Sequence, residues 1–135
     1  QHDHDGLRRL VRDLNALYRG QPGLYERDCA PEGFQWIEGG DTENNVFSFI
    51  RHGLDGTPPV VVISNMAPVV REGYTIGMPQ GGTWREALNT DAAEYGGSGV
   101  GNGGTVISGG EGLHGQPHRA SLTLPPLATL FLTPE

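Results

Sequence analysis

Asp91 and Glu94 are the closest acidic pair in the most motif-like stretch of this chain, Trp84 to Thr105. Glycosyl transfer needs two carboxyl groups straddling the reacting bond, one as nucleophile and one as acid/base. Here the pair falls in an Asn-Thr-Asp turn signal flanked by alanine and glycine, without the apolar surroundings that tune an acid/base carboxyl. Asp91 therefore reads as turn chemistry, its side chain bonding nearby backbone N–H groups. Gly99 to Gly104 satisfies GxGxxG, but that motif needs a strand before it and a helix after it. Gly96-Gly97 precede it and a strand-like Thr105-Val106-Ile107 follows, so a glycine-shaped surface loop is expected. His114 and His118 resemble a metal pair, yet Gly115 and Pro117 spoil the helix that would bring both imidazoles to one face. His2-Asp3-His4-Asp5 reads as a chain start followed by a helix cap. Cys29, beside Pro31, reads as structural, and no Gly-x-Ser-x-Gly is present. The expectation is no catalytic residue, no metal and no cofactor within this chain.

The aromatic residues suggest binding instead. Pyranose rings present C–H faces that pack on indole and phenol rings. Trp36 alternates with Phe34 in a short strand, beside Glu38 and Asp41, whose oxygens can accept hydroxyl hydrogen bonds. Trp84 follows Gly81-Gly82 at a strand start. Most tryptophans in so small a domain belong to core or interface, and Trp84 reads so. Trp36 is the candidate sugar platform and the one substrate-binding residue expected.

Composition restricts the partners. Nine basic against 16 acidic residues give a net charge of −7, a field that repels a phosphate backbone and is indifferent to a neutral polysaccharide. Nucleic acid is not an expected partner, and neither is a membrane, since no long apolar run occurs. A single cysteine cannot close an internal disulfide, which is compatible with the cytoplasm, the expected location. The 22 glycines and 10 prolines point to short strands and tight turns, and runs such as Val60 to Ile63 argue against disorder.

The elements that must hold these residues follow from periodicity. Leu7, Leu10, Val11, Leu14, Leu17 and Tyr18 make one helical stripe, with Asp5 placed to cap it and Gly20 and Pro22 to end it. A helix of about 14 residues needs a partner surface. Strands are expected over Phe34 to Ile37, Val46 to Arg51, Pro59 to Ser64, Gly73 to Gly77, Thr83 to Leu88, Thr105 to Ile107, Arg119 to Leu124 and Thr129 to Leu132. Asp55-Gly56 supplies the turn between the second and third. The fold class is all-β, an antiparallel β-sandwich of about seven or eight strands preceded by one amphipathic α-helix.

The chain also resembles a known family. Trp84 to Thr105, WREALNTDAAEYGGSGVGNGGT, and Leu122 to Leu132, LTLPPLATLFL, resemble the C-terminal all-β domain of bacterial glycogen (1,4-α-glucan) branching enzymes of the α-amylase superfamily. Leu10 to Asn15, Leu17-Tyr18-Arg19 and Gly33 to Ile37 continue the likeness in collinear order. Met66 to Arg71 departs from the family's usual Phe-Thr-Pro-Val-Pro-Arg, a change of packing rather than chemistry.

The resemblance implies residues 1–20 as the last helix of a preceding catalytic barrel and 21–135 as the sandwich. It implies a parent enzyme that transfers α-1,4-glucan segments to 6-hydroxyls, with its catalytic acids on that barrel. The expected partners are then the barrel and α-glucan. Two other readings share some features: a freestanding carbohydrate-binding module, and the tail of a debranching or trehalose-releasing hydrolase. The unpartnered helix speaks against the first, and the collinear Trp84 to Gly104 segment against the second.

Overall fold

A computed structural model describes residues 2–26, 33–41 and 45–135 of the chain. Helix α1 (His2–Gly20) is followed by a short 3-10 turn at Pro22–Leu24 and eight strands: β1 (Phe34–Asp41), β2 (Val46–Arg51), β3 (Val60–Asn65), β4 (Arg71–Met78), β5 (Gly82–Asn89), β6 (Thr105–Gly109), β7 (His118–Leu124) and β8 (Ala128–Pro134). Every expected strand is present. The strands form one antiparallel sheet in the order β1-β2-β3-β8-β5-β6-β7-β4. The sheet folds over so that its edge strands β1 and β4 meet. The expected sandwich is thus one continuous sheet wrapped around one core.

Alternation explains the wrapping. Val46, Ser48 and Ile50 of β2 are buried while Phe47, Phe49 and Arg51 are only half so. Ala120, Leu122 and Leu124 of β7 face the same interior, and Trp84 of β5 lies fully buried in it. Its indole N–H donates to the Gln80 carbonyl at 3.1 Å, satisfying the one polar atom it carries. Trp84 is core, as its sequence setting indicates. β3 is buried along both faces, because a second, outer cluster of Leu24, Val60 and Val62 lies under α1 with Leu17, Phe49 and Phe131.

The loops are fixed by side-chain hydrogen bonds. Buried Asn65 donates from Nδ2 to the carbonyls of Val69 (2.9 Å) and Pro125 (3.0 Å) and accepts the Ala67 N–H (3.0 Å). It thereby ties the β3–β4 loop to the β7–β8 loop. The Asp-Gly turn stands where expected: Thr57 N–H bonds the Leu54 carbonyl at 2.9 Å, with Gly56 at φ 88°. Leu113 and Gln116 exchange both backbone bonds across His114 and Gly115, each at positive φ, a two-residue turn. His114 Nδ1 accepts the Gly77 N–H of β4 at 3.2 Å, and its Nε2 lies 3.6 Å from a Glu38 oxygen of β1. One imidazole thus bridges the two sheet edges.

Helix α1 is longer than periodicity indicates. It begins at His2, so Asp5 sits inside its first turns and is not its cap. Its end at Gly20 is as expected. The helix is pinned by Tyr95, whose hydroxyl donates to Asp13 at 2.5 Å, and by Arg9, which donates to the Glu94 carbonyl at 3.3 Å. At Gly6 a side chain would collide with the Tyr95 carbonyl, so glycine sets how closely helix and 3-10 turn (Ala93–Tyr95) approach. The stripe is poorly covered, however. Leu7 and Val11 are 59% and 49% exposed, and Leu10, Leu14 and Leu17 are only half-buried.

Replacing Asn65 with alanine removes the partner of two buried backbone groups and of the part-buried Val69 carbonyl, and should cost about 2–4 kcal/mol in urea unfolding. A loss under about 0.5 kcal/mol would mean that water replaces its bonds. The helix clasp should depend on pH. Hydrogen bonds from Arg12 first, then Tyr95, hold the Asp13 carboxyl below its ordinary value. A depressed pKa adds stability above the unfolded value, about 3.9, which is lost as pH falls through the folded one. Burial, then Asp13, raises the Tyr95 phenol, whose support is lost only as pH rises beyond the ordinary phenol range. Hydrogen exchange of the α1 amides should therefore quicken in acid below about pH 3.9, and at neutral pH in Tyr95→Phe, while β3 and β8 stay protected. Equal quickening across the sheet would show that the clasp is global rather than local.

Candidate functional site

The outer face of β1 and β2 carries four aromatic side chains. Antiparallel register sets Trp36 opposite Phe49, and the half-buried Phe47 lies two residues along β2 on the same face. Trp36 is 55% exposed, by far the more open of the two tryptophans, and Phe34 is 39% exposed. Phe34 stacks on Phe49 with centroids 4.8 Å apart and planes 27° off parallel, and Phe47 and Phe49 are 10° off parallel. The indole meets all three nearly at right angles, 85° to Phe34, 78° to Phe47 and 86° to Phe49. Three phenyl rings therefore form one rank, and the indole lies across it, edge against face.

Phe49 also belongs to the outer cluster under α1, so the ledge runs into a groove beside the helix. That groove, about 350 Å³, is lined by Leu14, Leu17, Tyr18, Leu24, Phe49 and Phe131 among others. Ledge and groove make one apolar surface from the uncovered helix to the β1 edge. Such a surface can stack on a sugar ring or cover another apolar face.

The polar neighbours expected for Trp36 fare differently. Glu38 is half-buried and turned to His114 at the sheet seam. The Asp41 side chain lies outside the described residues, as do Cys29 and the side chains of His2, Asp3 and His4. Gln35 of β1 and His52, the residue after β2, are joined at 2.9 Å between Oε1 and Nε2.

The residues that suggested chemistry have structural partners. Glu86 accepts the N–H groups of Asn102 (3.2 Å) and Gly104 (3.0 Å) and the Asn102 side-chain amide (3.0 Å). Asn102 in turn takes the Thr123 N–H at 2.7 Å and donates to the Thr123 carbonyl at 2.9 Å. The GxGxxG stretch is thus a loop fastened between β5 and β7, with Gly99, Gly103 and Gly104 at φ 82°, 70° and 95°. β6 starts at Thr105, as expected, and no helix follows. In the turn, Asn89 rather than Asp91 supplies the backbone contact: its Oδ1 accepts the Asp91 N–H at 2.8 Å, while the Asp91 carboxylate takes the Ser98 hydroxyl. The expectation for Asp91 is corrected here, because the side chain two residues before a turn N–H reaches it first. His114 and His118 stand apart in role, one at the seam and one at the start of β7. Among the described residues no group of three His, Cys, Asp or Glu could hold a metal, and no helix is long and apolar enough to cross a membrane.

Sequence reasoning placed Trp36 on a strand but not beside Phe47 and Phe49. Phe47 and Phe49 share a face by simple alternation, and Phe34 shares one with Trp36. Only strand register brings the two pairs together.

Comparison with known proteins agrees with this architecture. Residues 36–135 match the family described as alpha amylase, C-terminal all-beta domain. The chain is similar to the 1,4-alpha-glucan branching enzyme GlgB of Cereibacter sphaeroides, 55% identical over 131 residues, which is 97% of this chain and 18% of the relative. GlgB of Paraburkholderia xenovorans is 54% identical over 130 residues, 96% of this chain and 18% of that protein. GlgB 1 of Streptomyces avermitilis is 53% identical over 133 residues, 98% and 16% respectively. The chain spans less than a fifth of the length of the curated relatives it matches. With eight antiparallel strands around one core and a match over residues 36–135, the chain belongs to the family of alpha amylase C-terminal all-beta domains.

Proposed function

We propose that this chain is the C-terminal domain of a cytoplasmic 1,4-α-glucan branching enzyme, and that it supports a preceding catalytic barrel and offers glucan an accessory surface at Trp36. The observation that carries the reading is identity above 50% along nearly the whole chain with proteins of that name. The uncovered stripe of α1 supports residues 1–20 as the last helix of the barrel, since a short apolar-faced helix needs a second surface. The barrel would supply the paired carboxylates of a retaining double displacement, which cuts an α-1,4 segment and joins it to a 6-hydroxyl. A net charge of −7 suits a neutral polymer better than nucleic acid or an anionic membrane.

The ledge geometry supports α-glucan as the occupant. A flat β-1,4-glucan ribbon stacks best on several coplanar rings, whereas here one indole plane stands across a perpendicular rank. One stacked glucose of a chain that curves away from the phenyl rank fits that corner. A freestanding binding module would use the same ledge but leaves the helix stripe unexplained.

Two measurements test the reading. The 135-residue chain incubated with amylose should change neither iodine absorbance nor reducing ends, while the product of the complete gene should lower the first without raising the second. Branching by the short chain, or none by the complete product, would overturn it. Trp36→Ala should weaken maltoheptaose binding several-fold, the loss of a stack worth roughly 1 kcal/mol, while the melting temperature stays within a few degrees. Unchanged affinity in the folded variant, or equal affinity of the parent chain for cellohexaose, would remove Trp36 as an α-glucan platform.

A further inference from the structure

We propose that Gly39 is the positioning residue that seats the Trp36 indole on the strand, so that the absence of a side chain at 39 sets the angle of the platform. This rests on the reading of Trp36 as a glucan platform and adds to it a second determinant of binding.

Strand β1 does not run regularly beside β2. Trp36 pairs with Phe49, Glu38 with Ser48, and Asp41 with Val46, so two register shifts fall between Trp36 and Asp41. Each extra residue bends the strand and raises its twist. The second shift contains Gly39, and the bend brings it under the ring of Trp36, three residues earlier. A Cβ at 39 would stand 3.1, 3.2 and 3.5 Å from Cε3, Cδ2 and Cζ3 of Trp36, and these are its three nearest neighbours. All three are benzo-ring carbons, so the indole rests on glycine backbone.

The backbone at 39 is not left-handed, so no conformational rule demands glycine there. What demands it is the ring. Phe34, Phe47 and Phe49 stand around the indole at close to right angles and restrict where it can move. A methyl group at 39 must lift the ring by a few tenths of an ångström, and a branched side chain must tilt it out of its seat. Because Gly39 is exposed and the nearest atoms to a Cβ there all belong to the exposed Trp36 ring, tilting the ring should leave the fold intact.

The test uses the 135-residue chain with maltoheptaose as the probe. Trp84 is fully buried, so the quenchable, solvent-exposed tryptophan emission belongs to Trp36. Gly39→Ala should weaken maltoheptaose about twofold and Gly39→Val about fivefold, the second matching Trp36→Ala, with circular dichroism and melting temperature unchanged. Gly39→Val added to Trp36→Ala should cause no further loss, since the two act through one ring. Both glycine variants should shift the exposed emission and its iodide quenching. A Gly39→Val chain with parental emission and affinity would overturn the proposal, as would a loss that persists in the Trp36→Ala background. If the parent chain fails to bind maltoheptaose, the platform reading alone falls; seating is then decided by quenching, where a change in Gly39→Val upholds it and no change overturns it.

Discussion

A single sheet with a single interior is the constraint from which the other features follow. All eight strands send residues into one layer around the fully buried Trp84. Whatever the domain does with other molecules must then use the outer face, the loops or the helix. The aromatic ledge exists because β2 puts Val46, Ser48 and Ile50 inward and so has Phe47 and Phe49 left for the outside. The groove beside α1 is the part of that outer face which the helix reaches, and Phe49 is shared between it and the ledge.

The most motif-like stretch of the sequence does a different job from the one its residue types suggest. Its acidic and amide groups are consumed in holding a glycine-rich loop: Glu86 gathers N–H groups from Asn102 and Gly104, and Asn102 reaches across to β7. A loop of such composition has much backbone entropy to lose and little apolar surface to gain, so hydrogen bonds to one carboxylate must replace packing. The most motif-like stretch of the chain therefore lies at a place where the domain is held together.

Much of the fold could be read from alternation alone. Val46 to Arg51 was legible to the residue because Phe47 and Phe49 alternate with Ser48 and so fall on one face. The helix start was not, because His2 to His4 carry no apolar residue and a stripe cannot announce a polar first turn. Trp36 was legible as the tryptophan in an amphipathic strand, while the right-angled rank around it depends on pairing across strands, which no local pattern encodes. The seat at Gly39 depends further on where the register slips. Asn89 and Asp91 were confused for a simpler reason: both are good turn residues, and only geometry decides which one reaches the backbone.

The imidazole at the seam has a consequence for life in a crowded solution. A sheet that does not close by backbone pairing leaves its outermost strands as templates for other chains. Gly77 N–H on β4 is such a free donor, and His114 occupies it from a two-residue turn while facing Glu38 on β1. The turn sits where an incoming strand would have to lie. A side chain has been set where the sheet lacks a ninth strand, and it denies that place to a stranger.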